Sequence, residues 1–285
     1  MRLKSAVIAT ACAAICLAPA SALAKTTKTP AATWYLSLGD SLARGAQPTA
    51  AGKTVPTNSG YADFLYKTEK AKIKGLKLEK LGCLGESTTT MQKGGICTYA
   101  GGSQLAAAIK FIATHKVALI TIDIGANDVD FCAKGLAVNV ACITKGVASI
   151  KANTPKILDK LRKAAGPKVK IAGMTYYDPF LADYQLGAGG HAIASLSVTL
   201  AKTVSTALVS AFKAKNVRVA DVAGAFRTDT PFTTLGKLTG GGTAPLAVAE
   251  ICNQTWECTA PPRGPNIHAN TTGYKAIAKA FAAVL

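Results

Sequence analysis

The order of hydrophobic and polar positions along the chain predicts an alternation of strands and helices. Short apolar runs bounded by Gly, Asp or Lys are typical of buried strands, and they occur at residues 34–38, 76–81, 117–124, 169–174 and 217–222. Longer stretches carry apolar residues at helical spacing, at residues 61–72, 103–114, 144–164, 192–215 and 272–285. This alternation predicts an α/β fold with a mostly parallel sheet and helices on both faces.

The same pattern predicts one domain over residues 33–285. Gly- and Pro-rich loops at residues 187–190 and 236–245 interrupt the chain, but no shift in composition accompanies them. Residues 25–32 are rich in Lys, Thr and Ala and are interpreted as a flexible lead-in. In a parallel sheet, ligands bind beyond the carboxyl ends of the strands. The residues that follow each apolar run are therefore where a site is expected.

The N-terminal segment has the layout of a secretory signal peptide. Arg2 and Lys4 precede an apolar run over residues 6–18, and residues 22–24, Ala-Leu-Ala, have the small side chains that signal peptidase requires. The apolar run is shorter than the roughly 20 residues that span a bilayer. We therefore expect residues 1–24 to be removed and the protein to be secreted.

Cysteine usage depends on this export. An even number of cysteines remains after the signal segment, which in an exported chain indicates disulfides. They fall into three close pairs along the chain, and we predict the bonds Cys83–Cys97, Cys132–Cys142 and Cys252–Cys258. Zinc is the competing interpretation, but the chain has no CxxC motif and no histidine near a cysteine pair. We expect no metal.

Net charge raises the question of a nucleic-acid partner. Lys and Arg number 33 against 15 Asp and Glu, a formal net charge of +18. Dense cations favour phosphate backbones, yet the lysines are scattered with few interleaved aromatics, and no nucleic-acid-binding module is present. For an exported protein, anionic envelopes, phospholipid surfaces or acidic polysaccharides are the more suitable partners, and a solvated basic surface is the simplest alternative. We expect a monomer that binds no nucleic acid.

Three of the predicted strand ends carry groups suited to nucleophilic catalysis. Residues 39–42 read Gly-Asp-Ser-Leu, so that Gly39 permits a tight turn and Ser41 is expected at the start of a helix with its hydroxyl exposed. Gly85 in a loop can present its N–H to a ligand, and Asn127 is a neutral side-chain donor suited to an oxyanion hole. A helix cap at Ser41 and ordinary turns at the other two positions are the alternatives.

A general base must come from the three histidines. His115 precedes a predicted strand and so lies at the wrong edge of the sheet, and His191 is expected to begin a helix. His268 lies in Pro-Asn-Ile-His-Ala-Asn immediately before the last predicted helix. Position and context favour His268 as the base.

The order of these elements resembles the SGNH or GDSL hydrolase superfamily. Gly-Asp-Ser-Leu at residues 39–42, Gly85, Gly-x-Asn-Asp at residues 125–128 and His268 follow one another at wide spacing. The resemblance covers residues 33–285. It implies a flavodoxin-like three-layer α/β/α sandwich with a five-stranded sheet, and the three local cysteine pairs are similar to those of secreted esterases and lipases of this group.

The activity that the resemblance implies is hydrolysis of carboxylic acyl esters without a cofactor. Ser41 would be the nucleophile and His268 its general base. The oxyanion hole would consist of the Ser41 N–H, the Gly85 N–H and the Asn127 side chain. An acyl-serine intermediate would form and then be hydrolysed.

One position departs from the family pattern. The family usually has Asp three residues before the histidine, where this chain has Pro265, and the residue two before is Asn266. We expect a Ser–His dyad, with the main-chain carbonyl of Pro265 or Asn266 accepting a hydrogen bond from His268 Nδ1–H. A distant acidic residue is the alternative. An orienting acceptor fixes the tautomer without being charged, but it stabilises imidazolium less.

The substrate is less well defined by the sequence. Trp256, in the loop closed by Cys252–Cys258, is a candidate for lining an acyl pocket, although covering the disulfide is the favoured interpretation. Asp178 follows a predicted strand and is expected at the same edge, with an ordinary turn as the alternative. The absence of a long apolar lid segment favours small or soluble esters. Secreted esterase, lipase or phospholipase activity is the leading hypothesis. A carbohydrate acetyl esterase and a cationic envelope-binding protein with a decayed site are the alternatives.

Overall fold

Each apolar run that predicts a strand forms one in the computed structural model, which describes residues 32–285. The strands are β1 (Thr33–Gly39), β2 (Gln47–Pro48), β3 (Thr54–Val55), β4 (Leu76–Lys80), β5 (Val117–Asp123), β6 (Ala133–Lys134), β7 (Ala137–Val138), β8 (Lys170–Met174), β9 (Arg218–Ala220), β10 (Leu235–Lys237) and β11 (Thr243–Pro245). The helices are α1 (Tyr61–Lys72), α2 (Thr88–Lys93), α3 (Gln104–Thr114), α4 (Val140–Ala165), α5 (Ala188–Lys213), α6 (Val222–Ala225), α7 (Leu246–Gln254) and α8 (Thr271–Ala282). Short 3₁₀ helices span Ala126–Asp128, Asp130–Cys132 and Pro179–Leu186. The signal peptide predicted over residues 1–24 and residues 25–31 of the lead-in lie outside the described residues.

The central sheet has five strands in the order β4-β1-β5-β8-β9. All four pairings are parallel, so every strand presents its carboxyl end at the same edge. Helices flank the sheet: α1 packs against α8, while α3 and α5 both pack against α4. The predicted α/β fold with a mostly parallel five-stranded sheet is confirmed. Residues 32–285 belong to one compact unit.

The core lies between the central strands and their helices. Leu36 and Leu38 of β1 and Ile120 and Ile122 of β5 are fully buried, because these strands have neighbours on both sides and helices on both faces. Helix α5 is long and apolar enough to cross a membrane by length and composition alone. Its buried side chains, Phe212 among them, nevertheless belong to the hydrophobic core.

The boundaries of the long helices differ from expectation at their starts. Helix α4 begins four residues earlier than the apolar spacing indicates, because the Asn139 side chain accepts a hydrogen bond from the Cys142 N–H and caps the helix. The expectation that Ser41 begins a helix is wrong. Residues 41–45 form a turn, which the Gly45 N–H closes on the Leu42 carbonyl at 2.9 Å.

The three disulfides of the structure are the three expected pairs, Cys83–Cys97, Cys132–Cys142 and Cys252–Cys258. The first closes a loop that follows β4, and the second encloses the β6–β7 hairpin that follows β5. The third joins α7 to the segment that leads to α8. All three therefore brace connections between secondary-structure elements, and two of them brace loops at the carboxyl edge of the sheet.

We predict that Gly173→Ala destabilises the fold by about 1–3 kcal/mol, the usual cost of overpacking a core. Gly173 lies in β8 against the Phe212 ring, and a methyl group at this position would collide with several ring carbons. Gly240→Ala is the matched control, because a methyl group there meets no other atom. Urea unfolding of both variants measures the difference. Equal losses would contradict the packing argument.

Candidate active site

The turn that carries Ser41 is built on the contact between the ends of β1 and β5. Gly39, at the end of β1, pairs with Asp123, at the end of β5. Gly39 has φ 131°, and a Cβ there would collide with the carbonyl oxygen of Asp123. The chain can therefore make this turn only with glycine at position 39.

Two buried carboxylates hold the turn. Asp123 Oδ2 accepts from the main-chain N–H groups of Asp40 at 3.3 Å and Ala43 at 3.1 Å, and Tyr61 Oη donates to Asp123 Oδ1. Asp40 Oδ1 accepts from the Leu42 N–H at 2.9 Å. Burial raises the pKa of Asp123 well above its usual range, and the neighbouring charge of Asp40 raises it further. These carboxyl groups act as acceptors that shape the backbone around Ser41.

The loops after β4 and β5 are joined to each other beside this turn. Asn127 Nδ2 donates to the Glu86 carbonyl at 3.1 Å, so that the amide lies next to Gly85 in the chain. The Asp128 carboxylate accepts from the Thr88 N–H at 2.8 Å and from the Thr88 hydroxyl at 2.7 Å. An amide nitrogen carries two hydrogens, so Asn127 keeps one for a ligand.

Gln104 connects the turn that carries Ser41 to the loop that follows β4. Its Oε1 accepts from the Gly39 N–H at 2.7 Å, and its Nε2 donates to the Gly39 carbonyl at 2.8 Å and to Glu86 Oε2 at 2.9 Å. Gln104 is fully buried at the first position of α3. Sequence reasoning missed both Gln104 and Asp123, because neither belongs to a motif that marks its role.

His268 is oriented by the side chain of Asn266. Asn266 Oδ1 lies 2.7 Å from His268 Nδ1 and accepts from the His268 main-chain N–H at 3.1 Å. Asn266 Nδ2 donates to Thr54 Oγ1 at 2.9 Å. A main-chain N–H can only donate, so the amide atom that faces it is the oxygen. Nδ1 must then carry the imidazole proton, which leaves the lone pair of Nε2 free.

This arrangement corrects the expected acceptor. We expected the main-chain carbonyl of Pro265 or Asn266, whereas the structure uses the Asn266 side chain. Main-chain contacts hold the rest of the segment: the Trp256 N–H donates to the His268 carbonyl at 3.0 Å, and the Tyr177 hydroxyl donates to the Ile267 carbonyl at 2.7 Å. Within residues 32–285, the hydrogen bonds of the His268 ring involve no carboxylate.

Burial lowers the pKa of His268 to about 4. The imidazole is therefore neutral at pH 7, which is the form that can accept a proton. A carboxylate in place of the Asn266 amide would favour imidazolium and raise this pKa.

Ser41, Asn127 and His268 line one cavity of about 110 Å³. Most of its wall is apolar; the apolar lining residues include Leu42, Val129, Val138, Ile143, Phe180, Ile193, Leu200 and Val204. Gly85 does not line it but lies one residue from the carbonyl that holds Asn127. Across the described part of the chain, no hydrogen bond joins Ser41 Oγ to His268. In structures without substrate, such bonds are often long and shorten only in the complex.

The remaining candidates have different positions. Asp178 lines the cavity, but its buried carboxylate accepts from the Phe180 N–H at 3.0 Å and from Ser197 Oγ at 2.6 Å, so it shapes the turn after β8. Burial raises the pKa of Asp178 to about 7. Trp256 does not line the cavity; the Arg263 guanidinium lies 5.1 Å from its ring centre.

The other two histidines lie outside the cavity. His115 caps the end of α3 and stacks on Phe111, and His191 stacks on Tyr184 in the first turn of α5. Among residues 32–285, no three His, Cys, Asp or Glu side chains are grouped so as to hold a metal ion.

The fold thus brings a serine that follows the first strand and a histidine that precedes the last helix into the wall of one cavity. The chain belongs to the GDSL-like Lipase/Acylhydrolase family, whose model matches residues 35–281. Membership implies ester hydrolysis. No curated protein sequence shows significant similarity to the chain.

Several solved structures of lipid and ester hydrolases share the fold at low sequence identity. An extracellular lipase from Streptomyces rimosus is 18% identical, with 89% of this chain and 100% of that chain covered and a TM-score of 0.55. A phospholipase A1 from Streptomyces albidoflavus is 14% identical, with 90% of this chain and 100% of that chain covered and a TM-score of 0.54. A variant acetyl xylan esterase from Geobacillus stearothermophilus is 14% identical, with 89% of this chain and 94% of that chain covered and a TM-score of 0.50.

We predict that Asn266 controls both the rate and its pH dependence. Asn266→Ala removes the acceptor that orients the imidazole and should lower kcat by about 10²-fold, within the range that a general base contributes. Asn266→Asp keeps the acceptor, adds a charge and raises the pKa of His268. Its kcat/KM should therefore fall at a higher pH than that of the wild type, whose acid limb should lie near pH 4. Profiles of kcat/KM against pH from 3 to 8 measure both effects.

Thr54→Val is the graded control for this series. It removes the partner of Asn266 Nδ2 but leaves Oδ1 in place, so it should have a smaller effect on kcat than Asn266→Ala. An unchanged acid limb in Asn266→Asp, together with an unchanged kcat in Asn266→Ala, would remove Asn266 from the mechanism.

Proposed function

We propose that the protein is an exported serine hydrolase of carboxylic acyl esters, an esterase or lipase that works through a Ser41–His268 dyad. One observation carries the proposal. Ser41, Asn127 and His268 come from three separate loops yet line a single apolar cavity, and Asn266 leaves His268 Nε2 free as a base. This geometry and its supporting hydrogen bonds argue against the alternative of an envelope-binding protein whose catalytic site has decayed.

The dyad can carry out acyl transfer in two steps. His268 Nε2 takes the proton of Ser41 Oγ while Oγ attacks the ester carbonyl carbon. The resulting oxyanion receives hydrogen bonds from the Ser41 N–H, the Gly85 N–H and the second hydrogen of Asn127 Nδ2. The C–O bond to the alcohol then breaks, and His268 gives its proton to the leaving oxygen. Water then attacks the acyl carbon while His268 takes its proton; the bond from the acyl carbon to Ser41 Oγ breaks, and His268 returns the proton to Oγ as the acid leaves.

The cavity wall favours an apolar acyl group. Apart from Ser41, Asn127 and His268, most of the lining is aliphatic and aromatic, with Asp130, Asp178 and two serines among its polar members. Such a wall suits a hydrocarbon chain better than a hydroxyl-rich sugar. The carbohydrate acetyl esterase is the second candidate, since an acetyl xylan esterase shares the fold.

Secretion as a monomer is part of the proposal. The N-terminal sequence pattern and the three disulfides support an oxidising compartment, because such bonds are rare in cytosolic proteins. Outside the cytosol, the anionic polymers of the cell envelope are then a suitable partner for this basic protein.

Exposed lysines at the amino edge of the sheet support that partner. Lys74 and Lys77 flank the start of β4, and Lys116 and Lys168 precede β5 and β8. The acidic side chains near this edge already have partners: Glu69 binds Lys72 at 2.7 Å, and Asp159 binds Lys215 at 2.9 Å. We propose that this edge binds anionic envelope polymers while the carboxyl edge remains free for substrate. Compensation of helix dipoles is the alternative role of its lysines.

We predict that Ser41 alone is labelled by an alkyl fluorophosphonate. The wild-type protein should gain the mass of one phosphonyl group, because the activated hydroxyl displaces fluoride. Ser41→Ala should gain none and should lose ester hydrolysis by at least about 10⁴-fold, as expected for removal of a catalytic serine. Mass spectrometry and a series of p-nitrophenyl acyl esters measure the two effects, with acetylated xylan as the comparison substrate.

Circular dichroism should show that Ser41→Ala remains folded. A folded wild-type protein that takes no label, or a label that persists in Ser41→Ala, would contradict the proposed function. Preference for acetylated xylan over every p-nitrophenyl ester would favour the second candidate.

We predict that the amino edge accounts for binding to polyanions. The triple variant Lys74→Glu, Lys77→Glu and Lys116→Glu should elute from a polyanionic matrix at a lower salt concentration than the wild type, because surface charges act through a screened potential. Its hydrolysis of a soluble ester should not change. The matched control carries the same Lys→Glu change at Lys53, Lys93 and Lys237, which lie outside this edge. Equal elution of both triple variants would show that only net charge matters.

A further inference from the structure

Exposed apolar side chains cluster around the mouth of the catalytic cavity. The large hydrophobic residues exposed in the described part of the chain are Ile96, Phe131, Leu136, Val140, Leu186, Leu196, Leu235 and Ile267. Phe131, Leu136 and Val140 occur within ten residues of each other, in or beside the loop that Cys132–Cys142 closes. Phe131 is 74% exposed and Leu136 is 51% exposed. Isolated exposed apolar residues are ordinary, but a concentration at one site indicates an interaction surface.

This loop also forms part of the cavity wall. Ala133 and Val138 pair across the β6–β7 hairpin, and both line the cavity. Phe131, before the hairpin, and Leu136, within it, do not line the cavity and face solvent. One short segment therefore presents one set of apolar groups to the cavity and another set to solvent.

Further residues extend the apolar surface around the mouth. Leu136 Cδ1 lies close to Gly189 at the start of α5, where a Cβ would be 3.3 Å away. Leu186, which is 64% exposed, packs its Cβ against the neighbouring Gly190. Ile267, beside His268, is exposed and also lines the cavity. We call Phe131, Leu136, Val140, Leu186 and Ile267 the apolar rim.

The loop is braced in the exposed conformation. The Cys132–Cys142 disulfide closes it, the Asn139 N–H donates to the Cys132 carbonyl at 2.8 Å, and the Asn139 side chain caps α4. Phe131 and Leu136 are therefore not free to fold back and cover their own apolar surface. Lys134, exposed in the same hairpin, places a cation beside them, an arrangement that suits the polar boundary of a lipid surface.

We propose that the apolar rim adsorbs to the surface of aggregated acyl lipids, so that the enzyme takes its ester directly from a lipid–water interface. The inference rests on the proposed function, because the occupant of the rim is the source of the substrate. The apolar rim is continuous with the cavity lining at Ile267, and this favours a lipid surface over another protein as the occupant. Ile267 belongs to the rim and also lines the cavity that holds Ser41, so an acyl chain that leaves the aggregate would meet apolar side chains from the rim into the cavity.

The test separates adsorption from catalysis. The rim variant carries Phe131→Ser and Leu136→Ser, and Leu235→Ser is the matched control, since Leu235 is 65% exposed but lies outside the rim. Binding is measured by flotation with phosphatidylcholine vesicles, which have no net charge and so exclude the basic amino edge. The vesicles are tested empty and loaded with p-nitrophenyl palmitate. Activity toward soluble p-nitrophenyl butyrate is measured in parallel.

The wild-type protein and Leu235→Ser should float with the vesicles. The rim variant should bind at least about tenfold more weakly, because two large side chains no longer enter the apolar layer. It should hydrolyse vesicle-held palmitate ester correspondingly more slowly and soluble butyrate ester at the wild-type rate.

The contrary outcomes are distinct. Wild-type hydrolysis of soluble ester without vesicle binding, or equal binding by the rim variant, would overturn the inference and leave the proposed function standing. Lack of hydrolysis of either ester, with no phosphonate label on Ser41, would instead overturn the proposed function. A concentration-dependent dimer in light scattering that the rim variant loses, without vesicle binding, would assign the rim to a second copy of the chain.

Discussion

The geometry of the site depends on the hydrogen bonds of the buried Asp123 carboxyl group. Asp123 ends β5 opposite Gly39, and it accepts hydrogen bonds from two main-chain N–H groups of the turn that carries Ser41. Burying a carboxyl group is unfavourable unless donors surround it, and here the turn and the Tyr61 hydroxyl supply those donors. The close contact in turn requires glycine at position 39. The parallel pairing of β1 and β5 is therefore what places the serine.

At His268, the neutral Asn266 amide and not a charged carboxylate accepts the hydrogen bond of the imidazole. The Asn266 amide fixes the tautomer as a carboxylate would, but it does not offset the burial that lowers the pKa of the imidazole. In the proposed mechanism His268 is therefore available as a base over a wide pH range, whereas its imidazolium form is less stabilised than it would be beside a carboxylate. In that mechanism, hydrogen bonds from Asn127 and the neighbouring loop carry a larger share of transition-state stabilisation.

A parallel sheet also separates the two kinds of surface in this protein. Strand starts and helix ends meet at the amino edge, where lysines such as Lys74 and Lys116 are exposed. Strand ends meet at the carboxyl edge, where the cavity opens and the apolar rim surrounds it. Lack of a long lid segment in the sequence favours soluble esters, whereas the proposed role of the apolar rim favours a lipid surface, because short disulfide-braced loops can also present an apolar surface.

The sequence by itself determined the five strands of the central sheet, the long helices and the cysteine pairs, because each depends on spacing over a few residues. Helices α2, α6 and α7 were missed because they are too short to show a clear period. Ser41, Asn127 and His268 could be selected because each follows a strand or precedes a helix. Only the tertiary structure decided that Ser41 lies in a turn, that Asn266 orients His268 and that Gln104 and Asp123 support the site. Gln104 and Asp123 act through hydrogen bonds between segments far apart in the chain, whereas the Ser41 turn and the Asn266–His268 bond depend on the local backbone conformation. The spacing of apolar residues records neither.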